Sequence, residues 1–218
     1  MKRYTERQLQ RRANILAAAR DLIAERGYDG VTMRALAERS GVALKTLYSQ
    51  FTDKDTLLRS AVEEAHRATY YRIQDLHFNS GLDKLLHIVK TVAGTLLENE
   101  AYSKTLAPVL SRGVSSTEFS DVRAQAYRSA VVQIAAEGDL DPAIDIDVVT
   151  HMLLRQVASI YYEWARGEIT TKHVGTVLQL QILVTLAGLT NGASETRAKE
   201  EVPKLIRELP ASEAFVDI

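Results

Sequence analysis

Apolar residues recur every three or four positions along most of the chain, which is the spacing of amphipathic helices. A sustained alternation of apolar and polar residues, which would indicate strands, does not occur. The first helical stretch runs from about residue 5 to 26, and Gly27 ends it. Its buried stripe is predicted to consist of Ile15, Ala18, Ala19, Leu22 and Ile23. The pattern therefore predicts an all-α protein.

The same periodicity and its interruptions predict the remaining helices. A polar tail follows Asn191, and Pro203 there suits the first turn of one short helix near residues 203–209. The other predicted helices cover residues 33–39, 43–50, 54–77, 82–98, 101–112, 117–137, 144–166 and 171–190.

Charge is distributed unevenly along the 218 residues, although the formal net charge is only −1. Residues 1–54 contain eleven Lys and Arg against six Asp and Glu, a balance of +5. The remaining residues contain sixteen against twenty-two, a balance of −6. A basic end on an acidic remainder is typical of a chain whose one end binds phosphate. We therefore predict two domains, a nucleic-acid-binding domain over 1–53 and a larger helical domain over 54–218.

Three residues between the second and third predicted helices have the spacing of a helix-turn-helix. Ala37 is small enough for two helices to cross closely, and Gly41 suits a turn that needs a positive φ angle. Leu47 provides the apolar contact on the inner face of the third helix. The polar remainder of the third helix is then expected to face outward as a recognition helix.

Side chains on and around this third helix are the candidates for DNA contacts. Their groups can hydrogen-bond to base edges or phosphates, and Leu44 offers an apolar contact to a base. The basic N-terminal segment with Lys2, Arg3, Arg7, Arg11 and Arg12 can follow phosphates or enter a minor groove. The candidate DNA-binding residues are Thr32, Arg34, Leu44, Lys45, Thr46, Tyr48, Ser49, Gln50 and Lys54.

Residues 11–60 resemble the DNA-binding region of the TetR family of transcriptional regulators. The resemblance lies in the first helix at 15–28, in the second helix and turn at 31–37 and 41–42, and in the run from Thr46 to Leu58. It implies a repressor that binds a near-palindromic operator as a homodimer and responds to a small-molecule effector. It also implies contacts from Thr32 and Arg34 to phosphate or an outer base, and from Lys54 to phosphate.

Two residues depart from the family pattern. Ala43 stands where members often have Ser or Thr to cap the recognition helix, so this cap is expected to be missing. Leu44 replaces a commonly polar residue, so one base contact is expected to be apolar or absent.

Two late helices, at 144–166 and 171–190, are apolar around more than half of their circumference, which is more than one buried stripe requires. The resemblance implies that they form a four-helix dimer interface with their symmetry mates. A wholly internal helical hairpin is the alternative. The candidate interface residues are Met152, Gln156, Ile160, Leu178, Gln181, Ile182, Thr185 and Leu189.

Polar residues on the intervening helices are candidates for an effector pocket, although each also fits an ordinary surface or core position. A mostly apolar lining with a few such groups suits a small, largely hydrophobic molecule. The candidates are His66, Tyr70, His87, Gln125, Tyr127, Arg128, His151 and Tyr161.

Other classes of protein are disfavoured by what the sequence lacks. The chain has no cysteine, no His-Glu-x-x-His zinc motif and no Gly-x-Ser-x-Gly turn, so we expect no catalytic activity, metal or cofactor. The acidic residues Asp139, Asp141, Asp145 and Asp147 lack the Gly and Glu of a calcium loop and predict a solvated loop with helix caps. A cytoplasmic location is expected, and a helical protein-interaction module without a DNA role is the remaining alternative.

Overall fold

The computed structural model describes residues 5–98, 100, 101, 103, 104 and 117–216. Within these ranges it contains ten α-helices and two isolated β-bridges but no strand, which confirms the all-α prediction. None of these helices is both long enough and apolar enough to cross a membrane. The helices are Glu6–Arg26 (α1), Met33–Ser40 (α2), Leu44–Gln50 (α3), Lys54–Gln74 (α4), Gly81–Glu98 (α5), Thr117–Ala136 (α6), Ile146–Arg166 (α7), Val174–Leu189 (α8), Gly192–Glu208 (α9) and Ala211–Ala214 (α10).

The chain forms two compact units. The first comprises residues 1–65 and 99–116, and the second comprises 66–98 and 117–218. We call residues 5–65 of the first unit the head and the described part of the second unit the body. The first part of α4 thus belongs to the head and its last turns to the body.

The head is built around the buried stripe of α1. Thr5 and Gln8 begin this helix with a reciprocal cap, in which each side chain accepts a hydrogen bond from the other residue's backbone N–H. The predicted stripe is confirmed, because Ile15, Ala18, Ala19, Leu22 and Ile23 are all buried. They pack with Leu36, Leu47, Phe51, Leu57 and Leu58 from the following helices into one apolar core.

The turn between α2 and α3 has the geometry expected of a helix-turn-helix. The Thr32 side chain begins α2 by accepting a hydrogen bond from the Ala35 N–H at 3.1 Å. Gly41 ends α2 with a φ angle of 67°, a left-handed conformation that residues with a Cβ atom rarely adopt. The Val42 N–H then donates to the Ala37 carbonyl at 3.1 Å, which closes the turn.

The next two helix starts differ in their caps. Ala43 precedes α3 without any side-chain hydrogen bond, as its methyl side chain requires, so the predicted missing cap is confirmed. At α4, the Asp53 carboxylate accepts a hydrogen bond from the Thr56 N–H at 2.7 Å. Hydrogen bonds from the backbone and the side chain of Thr56 hold the pKa of Asp53 below its ordinary value, although burial acts to raise it.

The body is a helical bundle in which α8 packs against α5, α7 and α9, and α6 packs against α5 and α7. Its core contains the fully buried Tyr127 and Trp164 among aliphatic side chains from these helices. Asp145 begins α7 by accepting hydrogen bonds from the N–H groups of Asp147 and Val148. Gly167 ends the same helix in a left-handed conformation.

Two expectations for the body are wrong. The short helix predicted at 203–209 is the end of α9, which begins at Gly192 and contains Pro203 in its interior. Asp139, expected in a solvated loop, is instead buried. The two errors have one cause. The Asp139 carboxylate accepts hydrogen bonds from the N–H groups of Ala193 and Ser194 and so starts α9 from a distant loop. Most of the helix predicted at 101–112 lies outside the described residues.

Candidate nucleic-acid interface

The outer face of α3 carries four exposed residues among the predicted DNA contacts. Leu47 is fully buried and anchors the inner face of α3 on the head core. Leu44, Lys45, Tyr48 and Ser49 lie on the opposite side and are exposed. This arrangement follows from the helical period, since positions one turn apart share a face. Thr46 and Gln50 lie at the edges of this face and are half-buried.

Several of the predicted polar contacts take part in the head's own structure. Thr32 is the cap of α2, and the Ser49 hydroxyl donates a hydrogen bond to the Thr46 carbonyl at 2.7 Å. Arg34 is exposed and lies 3.6 Å from the Glu38 carboxylate one turn further along α2. An exposed pair of this kind contributes little to stability and can be exchanged for a contact with phosphate.

Lys54 is held by the turn that follows α1. Its ammonium group donates a hydrogen bond to the Tyr28 carbonyl at 3.0 Å and lies 3.8 Å from the centre of the Tyr28 ring. The Tyr28 hydroxyl in turn donates to the Asp55 carboxylate. The residue that the sequence assigns to a phosphate therefore also links the start of α4 to the end of α1.

The described part of the basic N-terminal segment belongs to α1. Arg7 is exposed, whereas Arg11 and Arg12 are half-buried. The Arg12 guanidinium lies 4.7 Å from the centre of the Phe51 ring, an arrangement that favours cation–π attraction. Lys2 and Arg3 lie outside the described residues.

Of the predicted effector contacts, the body brings Tyr70 on α4 together with Tyr127 on α6. Both are buried, and burial raises the pKa of Tyr70 to about 12 and that of Tyr127 well above its ordinary value. Arg123, one turn before Tyr127, opposes both shifts by its charge. The Tyr127 hydroxyl makes no hydrogen bond of good geometry in the part of the chain that the structure describes, but it lies close enough to the Tyr70 hydroxyl for each phenol to affect the pKa of the other.

The other predicted effector contacts do not join this cluster. Because α6 turns Ala126, Tyr127 and Ala130 inward, its residues Gln125 and Arg128 are exposed. Arg128 pairs with Asp147 at 2.7 Å, and the exposed His151 contacts the Asp147 carbonyl. Three more positions complete the set: His87 packs on Phe78, Tyr161 packs on Trp164, and the His66 side chain lies outside the described residues.

A cavity of about 390 Å³ lies elsewhere in the body, where the ends of α5, α6 and α9 meet. Arg197 at this cavity pairs with Asp83 and Glu201. The lining contains none of the predicted effector contacts and consists of Asn79, Ser80, Leu82, Glu137, Asp139, Ala193, Ser194 and Arg197. In the described ranges, no group of three His, Cys, Asp or Glu side chains is arranged to hold a metal ion.

The predicted dimer residues fall into three groups: a buried set, a hydrogen-bonded pair between α7 and α8, and an outer set. Ile160, Leu178 and Ile182 are buried inside the body, so they form part of its own core. Gln156 and Thr185 link α7 to α8 through a hydrogen bond of 2.8 Å between their side chains. The outer set consists of the exposed Met152 and Gln181 and the half-buried Leu189.

Sequence analysis missed four residues that the structure adds to these sets. Val148, Tyr162 and Val184 are exposed apolar residues that extend the outer face of α7 and α8. Arg123 joins the Tyr70 and Tyr127 cluster. The signal for Arg123 was available, because a residue four positions before Tyr127 shares its helix face.

Comparison with known proteins identifies the head. The sequence model for bacterial regulatory proteins of the tetR family matches residues 15–61. The transcriptional repressor KstR of Mycolicibacterium smegmatis is 47% identical over 58 residues, which cover 27% of this chain and 28% of KstR. The repressor KstR2 of the same organism is 23% identical over 198 residues, which cover 86% of this chain and 95% of KstR2.

The head of this chain matches the TetR family. The fold of the whole chain is similar as well, since the regulator FadR of Bacillus subtilis, solved in complex with stearoyl-CoA, superposes with a TM-score of 0.62 at 18% identity. That superposition covers 78% of this chain and 97% of FadR. These similarities identify the chain as a DNA-binding transcriptional regulator, in which α3 is the second helix of the helix-turn-helix.

Proposed function

We propose that this chain is a repressor that binds a near-palindromic operator as a homodimer and releases it when a small, largely hydrophobic effector binds the body. The observation that carries the DNA-binding part is the outward face of α3 on a segment with a net charge of +5. Lys45 and Tyr48 on this face are exposed to solvent. In a helix-turn-helix protein this helix is the one that lies in the major groove of DNA. Both matched relatives are repressors, which supports repression as the outcome.

Operator binding is tested by selecting bound sequences from random DNA with the full chain and measuring their affinity against salt. We expect a near-palindromic site whose affinity falls steeply with salt, with a slope of about −5 to −9 for six to ten phosphate contacts. The double variant Lys45→Ala, Tyr48→Ala is expected to lose at least about tenfold in affinity. Lys204→Ala, an exposed lysine of the body, is the matched control. Unchanged affinity in the double variant would show that α3 is not the reading helix.

The homodimer is proposed to form through the outer faces of α7 and α8. Met152, Val148 and Val184 are exposed on these faces, and α8 contains no charged residue from Val174 to Leu189. A face that is both apolar and uncharged is unfavourable in water, which supports contact with a second copy. Two heads on one dimer also combine their binding free energies on a palindromic site.

The dimer is tested by light scattering at micromolar concentration. We expect the wild type to have twice the mass of one chain and Val184→Arg to have the mass of one chain. Val132→Arg, which places the same charge at an exposed valine of α6, is expected to remain dimeric. A dimeric Val184→Arg protein would place the interface elsewhere.

The effector is proposed to enter the core at Tyr70 and Tyr127. Both phenols are protonated at neutral pH, as tyrosines ordinarily are, so the Tyr127 hydroxyl can donate a hydrogen bond to an acceptor on an otherwise apolar ligand. Fatty acyl-CoA thioesters are suitable first probes, because FadR is known with stearoyl-CoA. An effective probe is expected to raise the melting temperature of the full chain and to release the selected operator. Tyr127→Phe is expected to weaken both effects.

A further inference from the structure

Two large apolar side chains dominate the outward face of α3. Leu44 is 40% exposed and Tyr48 is 52% exposed, and they lie one helical turn apart. Neither is needed to hold α3 on the head, because the fully buried Leu47 fills that contact. The outward face of α3 therefore exposes an aliphatic and an aromatic side chain to solvent.

Few polar groups on α3 remain available for reading base edges. The Ser49 hydroxyl is turned back to the Thr46 carbonyl of the same helix. Thr46 and Gln50 are half-buried at the edges of the face. Lys45 is the one charged residue of the seven in α3, and its ammonium group donates hydrogen bonds but accepts none. The Tyr48 hydroxyl and the Lys45 ammonium group are therefore the side-chain groups of α3 that most readily hydrogen-bond to base edges, and Leu44 adds only an apolar contact.

An isolated exposed leucine is ordinary on a protein surface and requires no explanation. Leu44 differs because it lies in the first turn of a helix whose outer face enters the major groove in the proposed complex. In that groove the apolar group that distinguishes one base from the others is the C5-methyl group of thymine. A polar base edge opposite Leu44 would lose its water without gaining a hydrogen bond, which disfavours the other bases.

We propose that Leu44 reads a thymine methyl group, with Tyr48 flanking it, so that each operator half-site requires a T·A pair at this position. The inference rests on the proposed binding of operator DNA. It resolves the alternative that the sequence leaves open, between an apolar base contact and none, in favour of the apolar contact.

Replacing thymine by deoxyuridine tests the proposal, because it removes the methyl group and leaves base pairing unchanged. Each thymine of the selected operator is replaced in turn, symmetrically in both half-sites, and affinity is measured with the full chain. At one thymine per half-site we expect wild-type affinity to fall about fourfold per half-site, the factor that corresponds to one buried methyl group. Leu44→Ala is expected to bind the thymine operator with a similar loss and to bind both operators equally well.

Two further variants separate the possible outcomes. Lys45→Ala is expected to weaken binding to both operators while keeping the difference between thymine and deoxyuridine. Leu44→Met, which keeps an apolar side chain of similar volume, is expected to retain most of that difference. Circular dichroism of each variant establishes that the helices remain folded.

The result also separates this inference from the function on which it rests. If wild type binds the selected operator but tolerates deoxyuridine at every position, the proposed role of Leu44 is wrong and operator binding stands. The same holds if Leu44→Ala remains as sensitive to the missing methyl group as wild type. If random DNA yields no preferred sequence at all, the proposed operator binding fails instead.

Discussion

The head and the body differ in how their sequences determine their structures. KstR is 47% identical over 27% of this chain, whereas the match to KstR2 over 86% of the chain has only 23% identity. The head fixes its turns with specific groups, such as the Thr32 cap and the left-handed Gly41. The body requires mainly that apolar residues recur at helical spacing around Tyr127 and Trp164. The head therefore depends on particular residues at its turns, whereas the body depends on a repeated spacing of apolar residues.

The largest expected effects come from matched deletions in the two cores. Leu47 in the head and Leu183 in the body are both fully buried. Replacing either by Ala is expected to lower the free energy of unfolding by about 2–5 kcal/mol, because it leaves a cavity. If the two cores unfold separately, Leu47→Ala lowers only a head transition and Leu183→Ala only a body transition. Urea unfolding followed by circular dichroism measures both.

The tryptophan of the body provides the control for that experiment. Trp164 is the chain's single Trp, so its fluorescence reports the body alone. A Leu47→Ala protein whose Trp164 fluorescence transition shifts as much as its circular dichroism transition would show that the two cores unfold as one.

A smaller effect is expected from Asp139→Asn, which weakens the start of α9. Loss of the carboxylate charge at this helix start is expected to cost about 0.5–2 kcal/mol in stability at neutral pH. Asp141→Asn in the same loop is the matched control, because Asp141 is exposed and accepts from the Ala143 N–H. Chemical denaturation measures the difference between the two variants. A larger loss in Asp141→Asn would contradict the assigned role of Asp139.

The cost of Asp139→Asn is expected to depend on pH. Burial opposes ionisation of Asp139, but hydrogen bonds from Ser194 and Ala193 outweigh it and leave the pKa of the carboxyl below its ordinary value. Its stabilisation is therefore complete above the unfolded pKa of about 3.9 and is lost as pH falls through the lower folded value. The gap in stability between wild type and Asp139→Asn should stay constant from pH 7 to about 5 and narrow below about 4. A gap that widened on acidification would refute this assignment.

A still smaller effect on stability is expected from Tyr127→Phe. The substitution removes a buried hydroxyl that makes no hydrogen bond of good geometry among the described residues, so stability should change by no more than about 1 kcal/mol and can increase. Thermal unfolding without a probe measures this change. A loss above about 2 kcal/mol would mean that the hydroxyl is required by the fold and not by an effector.

A similarly small effect is expected at Lys54, where a contact within the head coincides with a proposed contact to DNA. Lys54→Met should cost about 0.5–1 kcal/mol in stability, because it removes the ammonium group from the carbonyl and ring of Tyr28. If Lys54 also contacts phosphate, the salt slope of operator binding becomes less steep by about 1. An unchanged slope would restrict Lys54 to its structural role.

Local rules predicted the head better than the body. The turn at Gly41 and the missing cap at Ala43 each depend on neighbouring residues, and both are confirmed. The sequence also correctly predicted the boundaries of α3 to within one residue. It could not show that Lys54 bonds within the head, because its partner Tyr28 lies 26 positions away. It also did not show that the Ser49 hydroxyl donates to the Thr46 carbonyl of the same helix.

Long-range contacts explain what the sequence could not predict in the body. α9 begins at Gly192 because Asp139 accepts its first N–H groups, a contact between residues 54 and 55 positions apart. The dimer face that the family resemblance implies also included Ile160, Leu178 and Ile182, although the body buries them. A helix that is apolar on most sides does not reveal which side meets its own bundle, and only the packed structure decides this.

The contact between Asp139 and α9 has a consequence for the order of folding. It encloses α7 and α8 in a loop of more than fifty residues, and closing such a loop costs conformational entropy. The space around Gly192 is also restricted, because a Cβ atom there would lie 2.2 Å from the Asp139 carboxylate. We expect α7 and α8 to pair first and α9 to dock last, so that substitutions at Asp139 accelerate unfolding and leave the rate of folding almost unchanged.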